Sequence, residues 1–272
     1  MKMEPTEAKR GSVILDLDGV VYVGSTPIRG AAGTITNLLR DGWQVLFATN
    51  NSTKTPESVS ETIESRTGLS IDPETIITSG MAAAQYVVDQ GLETALVVGS
   101  KPLKDTVASA GISPVDFHAP EAVVVGLDRD LTYQTIADAV TAIRGGAVFV
   151  ATNTDATLPT PNGLLPGAGA LVAAIATASG VEPVVCGKPH NPMVRLIGNK
   201  LKSDLVWMVG DRPETDIAIA RAAGWRSVLV LTGVTSELED VPPSLTPDHV
   251  KASLAGIESL LAEALGNAQS ER

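Results

Sequence analysis

The sequence predicts an α/β fold built on a doubly wound parallel sheet, Rossmann-like in kind, and three observations carry that reading. Short apolar runs rich in Val, Ile and Leu alternate along the chain with longer helical patterns, joined by short polar links. Hydrophobic residues make up 44% of the 272 but aromatic ones only 3%, so the core is aliphatic and suits a sheet covered by helices. Three of the apolar runs end abruptly on polar side chains, at Asp16 and Asp18, at Thr49 and Asn50, and at Asp211.

The first strand is Val13-Ile14-Leu15, a β-branched and aliphatic run bounded by Gly11-Ser12 and Gly19, as expected of a strand buried on both faces. A helix follows over Ala31 to Arg40, with Ile35, Leu38 and Leu39 on one face. Trp43 to Ala48 reads as the second strand, and Thr55-Pro56-Glu57 opens a helix to Thr67, with Pro at the first helical position. Pro73 to Thr78 is the third expected strand. From Gly80 the alternation restarts: helix Met81 to Gln90, strand Ala95 to Val98, helix Pro102 to Ala110, strand Ala122 to Val125, helix Thr132 to Arg144, strand Ala147 to Ala151. Thr152 to Pro166 is expected as a polar loop, Ala168 to Ser179 as a helix, Val184-Val185 as a strand, and Gly187-Lys188-Pro189 as the turn into another helix. Leu205 to Val209 is a strand, a helix ends at Gly224, and Ser227 to Leu231 is expected as the last strand. Glu237 to Asp248 reads as a surface loop and Leu254 to Leu265 as a closing helix.

A net charge of −11, with no basic stripe to offset it, argues against nucleic acid and anionic membrane as partners. The one cysteine, Cys186, excludes an intramolecular disulfide and, among apolar neighbours, reads as buried filler. Met1 to Arg10 is charged without an apolar signal region, and Gly167 to Gly180 is too short to span a bilayer, so the expectation is a cytoplasmic protein.

Chemistry is expected where the strands end. In a parallel sheet the carboxyl ends of neighbouring strands open on one crevice, where such folds bind ligands. Asp16 and Asp18 project to one side of an extended chain, about 7 Å apart along it, and Gly19 lets the backbone turn or approach a ligand closely. An Asx turn is the plain alternative for an isolated Asp-Gly. Helix capping by Pro213 and the acids after it accounts for Glu214, but not for an aspartate on the strand end itself. If Asp16, Asp18, Asp211 and Asp216 converge, a cation is needed to hold them ionised together. An all-oxygen set selects a hard ion, and Mg²⁺ is the natural choice. Zinc is disfavoured because His118, His190 and His249 lack ligand spacing. Lys188, in a Gly-Lys-Pro turn, is the best candidate for a phosphate-binding cation. Gly187-Lys188 is not a P-loop, and Gly167-Ala168-Gly169 is not a dinucleotide fingerprint.

Together, Asp16-Leu17-Asp18-Gly19, Thr49-Asn50-Asn51-Ser52, Lys188 and Gly210-Asp211-Arg212 with Asp216 resemble the four motifs of the haloacid dehalogenase-like phosphohydrolases. More narrowly, Asp16 to Tyr22, Thr49 to Ser52, Ala151 to Pro159 and Gly163 to Gly169 are similar to the NagD-like subfamily. That group includes 4-nitrophenyl phosphatase and the phosphoglycolate, glycerol 3-phosphate and pyridoxal phosphate phosphatases. Pro213-Glu214 departs from the family's usual pair, and the tail after Val234 carries no motif.

The resemblance implies a catalytic core of residues 1–79 plus 187–272, with an α/β cap of residues 80–186 inserted after the third core strand to set substrate choice. It implies an Mg²⁺-dependent phosphomonoesterase acting on a small phosphorylated metabolite. Asp16 would be the nucleophile and Asp18 the acid and base. Asp16, the Asp18 carbonyl, Asp211 and Asp216 would hold the ion. Gly19, Thr49, Asn50, Asn51 and Lys188 would bind phosphate, with cap contacts from Asn153 and Asp155. A homodimer through an exposed cap edge is a further expectation. Two alternatives remain beside this reading. One is a nucleotide 5′-monophosphatase, for which Tyr86 and Tyr133 are the available rings; the other is a non-catalytic magnesium and phosphate-binding module.

Overall fold

Ser12–Leu15 is buried at all four positions, as the unbroken apolar run requires of a strand covered on both faces. The computed structural model describes residues 10–116, 119–160 and 163–270. The chain divides into two compact units, one of Met1–Ala48, Val59–Ile76 and Ile197–Arg272, the other of Thr49–Ser58 and Ile77–Leu196.

The larger sheet has six strands in the order His249–Lys251, Arg226–Val230, Val206–Gly210, Ser12–Leu15, Gln44–Thr49, Ile76–Thr78, and all but Thr49, Ile77 and Thr78 of these residues belong to the first unit. The first five pair in parallel, Ser12 opposite Val206 on one side and opposite Gln44 on the other. The shared register brings the chain after Leu15 and the chain after Gly210 out at the same end of the sheet. Ala31–Arg40 turns Ile35 and Leu38, with Ala31 and Thr34, into the core. It packs with Ile257–Ser270, whose Leu261 and Ala264 join the same cluster as Val13, Leu15, Phe47 and Trp207. Asn37 donates to Glu258 at 2.9 Å across that helix pair.

The second unit has its own five-stranded parallel sheet, ordered Val184–Val185, Val148–Ala151, Ala122–Val125, Thr94–Val98, Ser113–Pro114. Its core is small and aliphatic: Val98, Val123, Val125, Ala139, Ile143, Val172 and Ile175 around Phe149. The helix Ala168–Ser179 ends on Gly180 at φ 74, a left-handed cap that a side chain would strain. Among the described residues no helix is long and apolar enough to cross a membrane.

Three expectations are corrected. Pro73–Thr75 is a 3₁₀ turn capped by Asp72, which accepts from the Glu74 amide, so the third strand begins only at Ile76. The stretch Thr152 to Pro166 is not all loop: Thr157–Thr160 and Gly163–Pro166 pair as an antiparallel hairpin. Prolines at Pro159 and Pro166 hide the alternation. Arg226–Val230 is not the last strand, because His249–Lys251 adds beside it. That edge is latched by Asp248, whose carboxylate accepts from the Ser227 amide and hydroxyl, both at 2.7 Å.

Candidate functional site

Asp16 leaves the first strand with its amide bonded to the Val209 carbonyl at 2.9 Å, which ties it to the neighbouring strand two residues before Asp211. Asp16, Asp211 and Asp216 are all buried, and one carboxylate oxygen of each lies within 4.8 Å of the others. Among the described residues this is the one group of three or more acidic, histidine or cysteine side chains so placed. His190 and His249 are not in it, and His118 lies outside the described residues. The helix after Asp211 opens with a wide π-type turn, Pro213–Ile217. Asp216 is thereby folded back, so that its Oδ2 accepts from the amides of Asp211 at 3.2 Å and Arg212 at 3.1 Å. A Cβ on Gly210 would overlap the Asp216 carboxylate, which accounts for glycine at the strand end. The unusual Pro213-Glu214 pair leaves this geometry intact, with Pro213 buried and Glu214 exposed on the turn.

Asp18 is exposed and outside the trio, because the regular strand stops at Leu15 and the chain turns. Gly19, at φ 87, makes that turn, with its amide donating to the Tyr22 carbonyl at 2.8 Å. Tyr22 is buried under the Arg66 guanidinium, 4.1 Å from its ring centre. Burial first, then the negative charges of Asp18 and Asp16, hold its hydroxyl protonated well above the ordinary range, against the opposing pull of Arg66.

In the second unit, Lys188 is buried, and its peptide bond to Pro189 is cis. The side chain of Asn50 grips its backbone from both ends: Oδ1 accepts from the Lys188 amide at 2.7 Å, and Nδ2 donates to the Lys188 carbonyl at 3.1 Å. The same Nδ2 lies 3.4 Å from Asp155 Oδ2. A Cβ on Gly187 would lie 2.5 Å from the Thr152 carbonyl oxygen and 2.6 Å from Asn50 Oδ1, so the turn before Lys188 has room only for glycine. Asn51 Oδ1 accepts from the Thr53 amide at 2.8 Å and hydroxyl at 2.7 Å, while Thr49 Oγ1 accepts from the Asn51 amide at 3.1 Å. Asn153 is buried and wired to the chain, donating to the Asn50 carbonyl at 2.8 Å and accepting from the Asp155 amide at 3.1 Å. The side-chain amides of Asn50 and Asn153 thus hold these loops together. Cys186 is buried, and burial pushes its thiol up to about 12.

Sequence reasoning missed the loop after Arg226–Val230. The Val234 amide donates to Asp211 Oδ2 at 2.6 Å, and the Thr232 hydroxyl donates to the Gly19 carbonyl at 2.5 Å. The rule that singled out Asp16 and Asp211, polar groups just past a parallel strand, also applies to Thr232-Gly233.

Residues 13–113 match the profile of the haloacid dehalogenase-like hydrolases, and residues 185–257 match a second, related hydrolase-like profile. An acid sugar phosphatase of Staphylococcus aureus is 35% identical over 255 residues, covering 90% of this chain and 97% of that protein. A p-nitrophenyl phosphatase from Archaeoglobus fulgidus superposes with a TM-score of 0.85 at 31% identity, over 92% of this chain and 99% of the other. A glycerol phosphate phosphatase from Mycobacterium tuberculosis, solved in complex with magnesium, superposes with a TM-score of 0.83 at 36% identity, over 93% and 78% of the respective chains. With the motifs in order and the likeness running nearly end to end, the chain belongs to the haloacid dehalogenase-like hydrolases, in their NagD-like phosphatase branch.

Proposed function

We propose that this chain is a magnesium-dependent phosphatase that hydrolyses small phosphorylated metabolites, polyol, sugar or organic acid phosphates, through an aspartyl-phosphate on Asp16. The observation that carries the reading is the gathering of Asp16, Asp211 and Asp216, three buried carboxylates within 4.8 Å of one another. Such a group is costly to bury unless a cation shares it. Its donors are all oxygen, which suits a hard divalent ion, so the residues present fit magnesium. Asp16 and Asp211 would hold the ion, with the Asp18 carbonyl. Asp216, whose Oδ2 already serves two amides, would act through water. When bound, the ion neutralises the repulsion between a carboxylate nucleophile and an anionic ester.

The rest is done by the chain's own groups. An Asp16 carboxylate oxygen attacks phosphorus and the ester P–O bond breaks, the leaving alkoxide taking the proton carried by Asp18. Asp18, now ionised, then takes a proton from water. The water oxygen bonds to phosphorus, the P–O bond to Asp16 breaks, and inorganic phosphate departs with both aspartates restored. Exposure of Asp18 suits a group that must exchange protons with solvent and with an entering water. Gly19, Thr49, Asn51 and Lys188 supply donors for the phosphoryl oxygens, a role supported by the family motifs and, for Lys188, by its burial. Asn50 is proposed to join them at the phosphoryl oxygens while also fixing the Lys188 backbone, and Asn153 and Asp155 to reach the leaving group.

Residues 80–186, proposed as the cap, fall wholly inside the second compact unit, and residues 1–79 with 187–272 are proposed as the core. The single buried thiol supports a place in the cytoplasm. A homodimer is proposed from the exposed hydrophobic side chains of Leu164 and Leu165, and sedimentation of the purified protein tests it. Activity is tested with 4-nitrophenyl phosphate and a panel containing glycerol 3-phosphate, phosphoglycolate and UMP, with and without Mg²⁺. Asp16→Asn is expected to lower turnover by several orders of magnitude while the melting temperature holds. Near wild-type turnover in that variant would refute the assignment, and preference for UMP would move the substrate class to nucleotides.

A further inference from the structure

Asp211 is enclosed by two glycines from different parts of the sequence. A Cβ on Gly19 would lie 2.5 Å from Asp211 Cγ, and a Cβ on Gly233 would also lie 2.5 Å from it. Carbon atoms in contact sit about 3.5–4.0 Å apart, so neither position accepts a side chain unless the carboxylate moves. The two glycines differ in kind. Gly19 has φ 87 and is needed for its backbone as well as for space. Gly233 is not among the glycines at positive φ, so any residue can adopt its backbone, and only the carboxylate beside it demands glycine. The loop holding Gly233 is fastened at three points around the same aspartate. The Val234 amide donates to Asp211 Oδ2 at 2.6 Å, the Thr235 amide to the Asp211 carbonyl at 3.3 Å, and the Thr232 hydroxyl to the Gly19 carbonyl at 2.5 Å.

We infer that the loop Thr232-Gly233-Val234-Thr235 is a positioning device for Asp211: it fixes which carboxylate oxygen is turned to a bound divalent ion. The inference rests on the magnesium reading above. Val234 holds Oδ2 by its backbone, Gly233 leaves the carboxylate room against the loop, and Thr232 ties the loop to the turn that carries Asp18. Gly233 and Thr232 touch neither substrate nor ion in this scheme; they act through Asp211 and the Gly19 turn. Groups of this sort, standing behind a metal ligand, change metal affinity by about 10–100-fold when altered.

The test compares wild type, Gly233→Ala, Thr232→Val and Thr232→Ser, each titrated with MgCl₂ and followed by two readouts, thermal unfolding and 4-nitrophenyl phosphate turnover. In Gly233→Ala the half-saturating magnesium concentration is expected to rise about tenfold or more, in both readouts, while the metal-free melting temperature stays close to wild type. Thr232→Val is expected to shift the titration in the same direction, and Thr232→Ser, which keeps the hydroxyl, to restore it. Magnesium titrations unchanged in Gly233→Ala and Thr232→Val would overturn the inference, even if both variants melt earlier, since that pattern marks a loop that only supports the fold. Should Gly233→Ala not fold, the Thr232 pair decides by the same criteria. A wild-type protein that responds to magnesium in neither readout overturns the functional reading itself, and the positioning role with it.

Discussion

Asp16 and Asp18 are two residues apart and live in different surroundings. One is buried among carboxylates, the other exposed at a turn, a split that suits the proposed nucleophile and the proposed acid and base. It leads to a kinetic expectation for Asp18→Asn. With 4-nitrophenyl phosphate, whose leaving group departs unprotonated, the variant is expected to release a burst of nitrophenolate equal to the enzyme, then turn over slowly. With glycerol 3-phosphate, whose alkoxide needs a proton, the first step itself slows by about 10²–10⁴-fold and no burst is seen. Rapid-mixing traces check this, and equal slowing without a burst on either substrate contradicts it. Cys186 yields a simpler expectation. Burial holds its thiol at about 12, so a thiol reagent at neutral pH should leave the folded protein unlabelled and label one site after denaturation. Prompt labelling of the native protein would show the thiol to be accessible.

At the scale of elements, most strands and helices were legible, because each is a local pattern of apolar residues between turn signals. Ala31–Arg40, with Ile35 and Leu38 on its inward face, is an example. Ile35→Ala is expected to cost about 2–5 kcal/mol, read by denaturant unfolding, since Ile35 is fully buried. The candidate site residues were legible only as polar groups at strand ends. What bound them was hidden, because it depends on partners far away in the sequence: Asn50 and Lys188 are 138 positions apart, and Thr232 and Gly19 are 213. Nothing local in Thr49-Asn50-Asn51-Ser52 says whether an amide faces a ligand or clamps a loop. The hairpin Thr157–Thr160 with Gly163–Pro166 was obscured for a different reason, its short strands being interrupted by proline. One surface latch also carries a pH dependence. The Glu121 carboxylate accepts from the Glu93 amide at 2.7 Å and from the Thr94 amide and hydroxyl at 3.0 and 3.1 Å, and these bonds, the Glu93 amide first, lower its pKa. A carboxyl depressed in the folded state stabilises it above its unfolded pKa, and that contribution is lost as pH falls through the folded value. Wild type should therefore melt above Glu121→Gln at neutral pH, with the gap closing as the pH drops below the carboxylate range. A gap constant with pH would mean the ionised carboxylate is not what the latch uses.

At the scale of the whole molecule, an acidic protein with a net charge of −11 must still handle an anionic substrate. The proposed means are local: three buried carboxylates suited to a divalent ion, and a buried lysine whose backbone is gripped by an asparagine. Removing magnesium with a chelator should abolish turnover, and restoring it should recover the activity, without the chain unfolding in between. The central claim is that the phosphoryl group passes through Asp16, and acid quenching during turnover with Mg²⁺, followed by peptide mass mapping, tests it most directly. The expected result is one phosphoryl group on the peptide carrying Asp16, absent from Asp16→Asn and from enzyme stripped of metal. A phosphoryl group on any other residue, or rapid turnover in Asp16→Asn with no modified peptide at all, would contradict it.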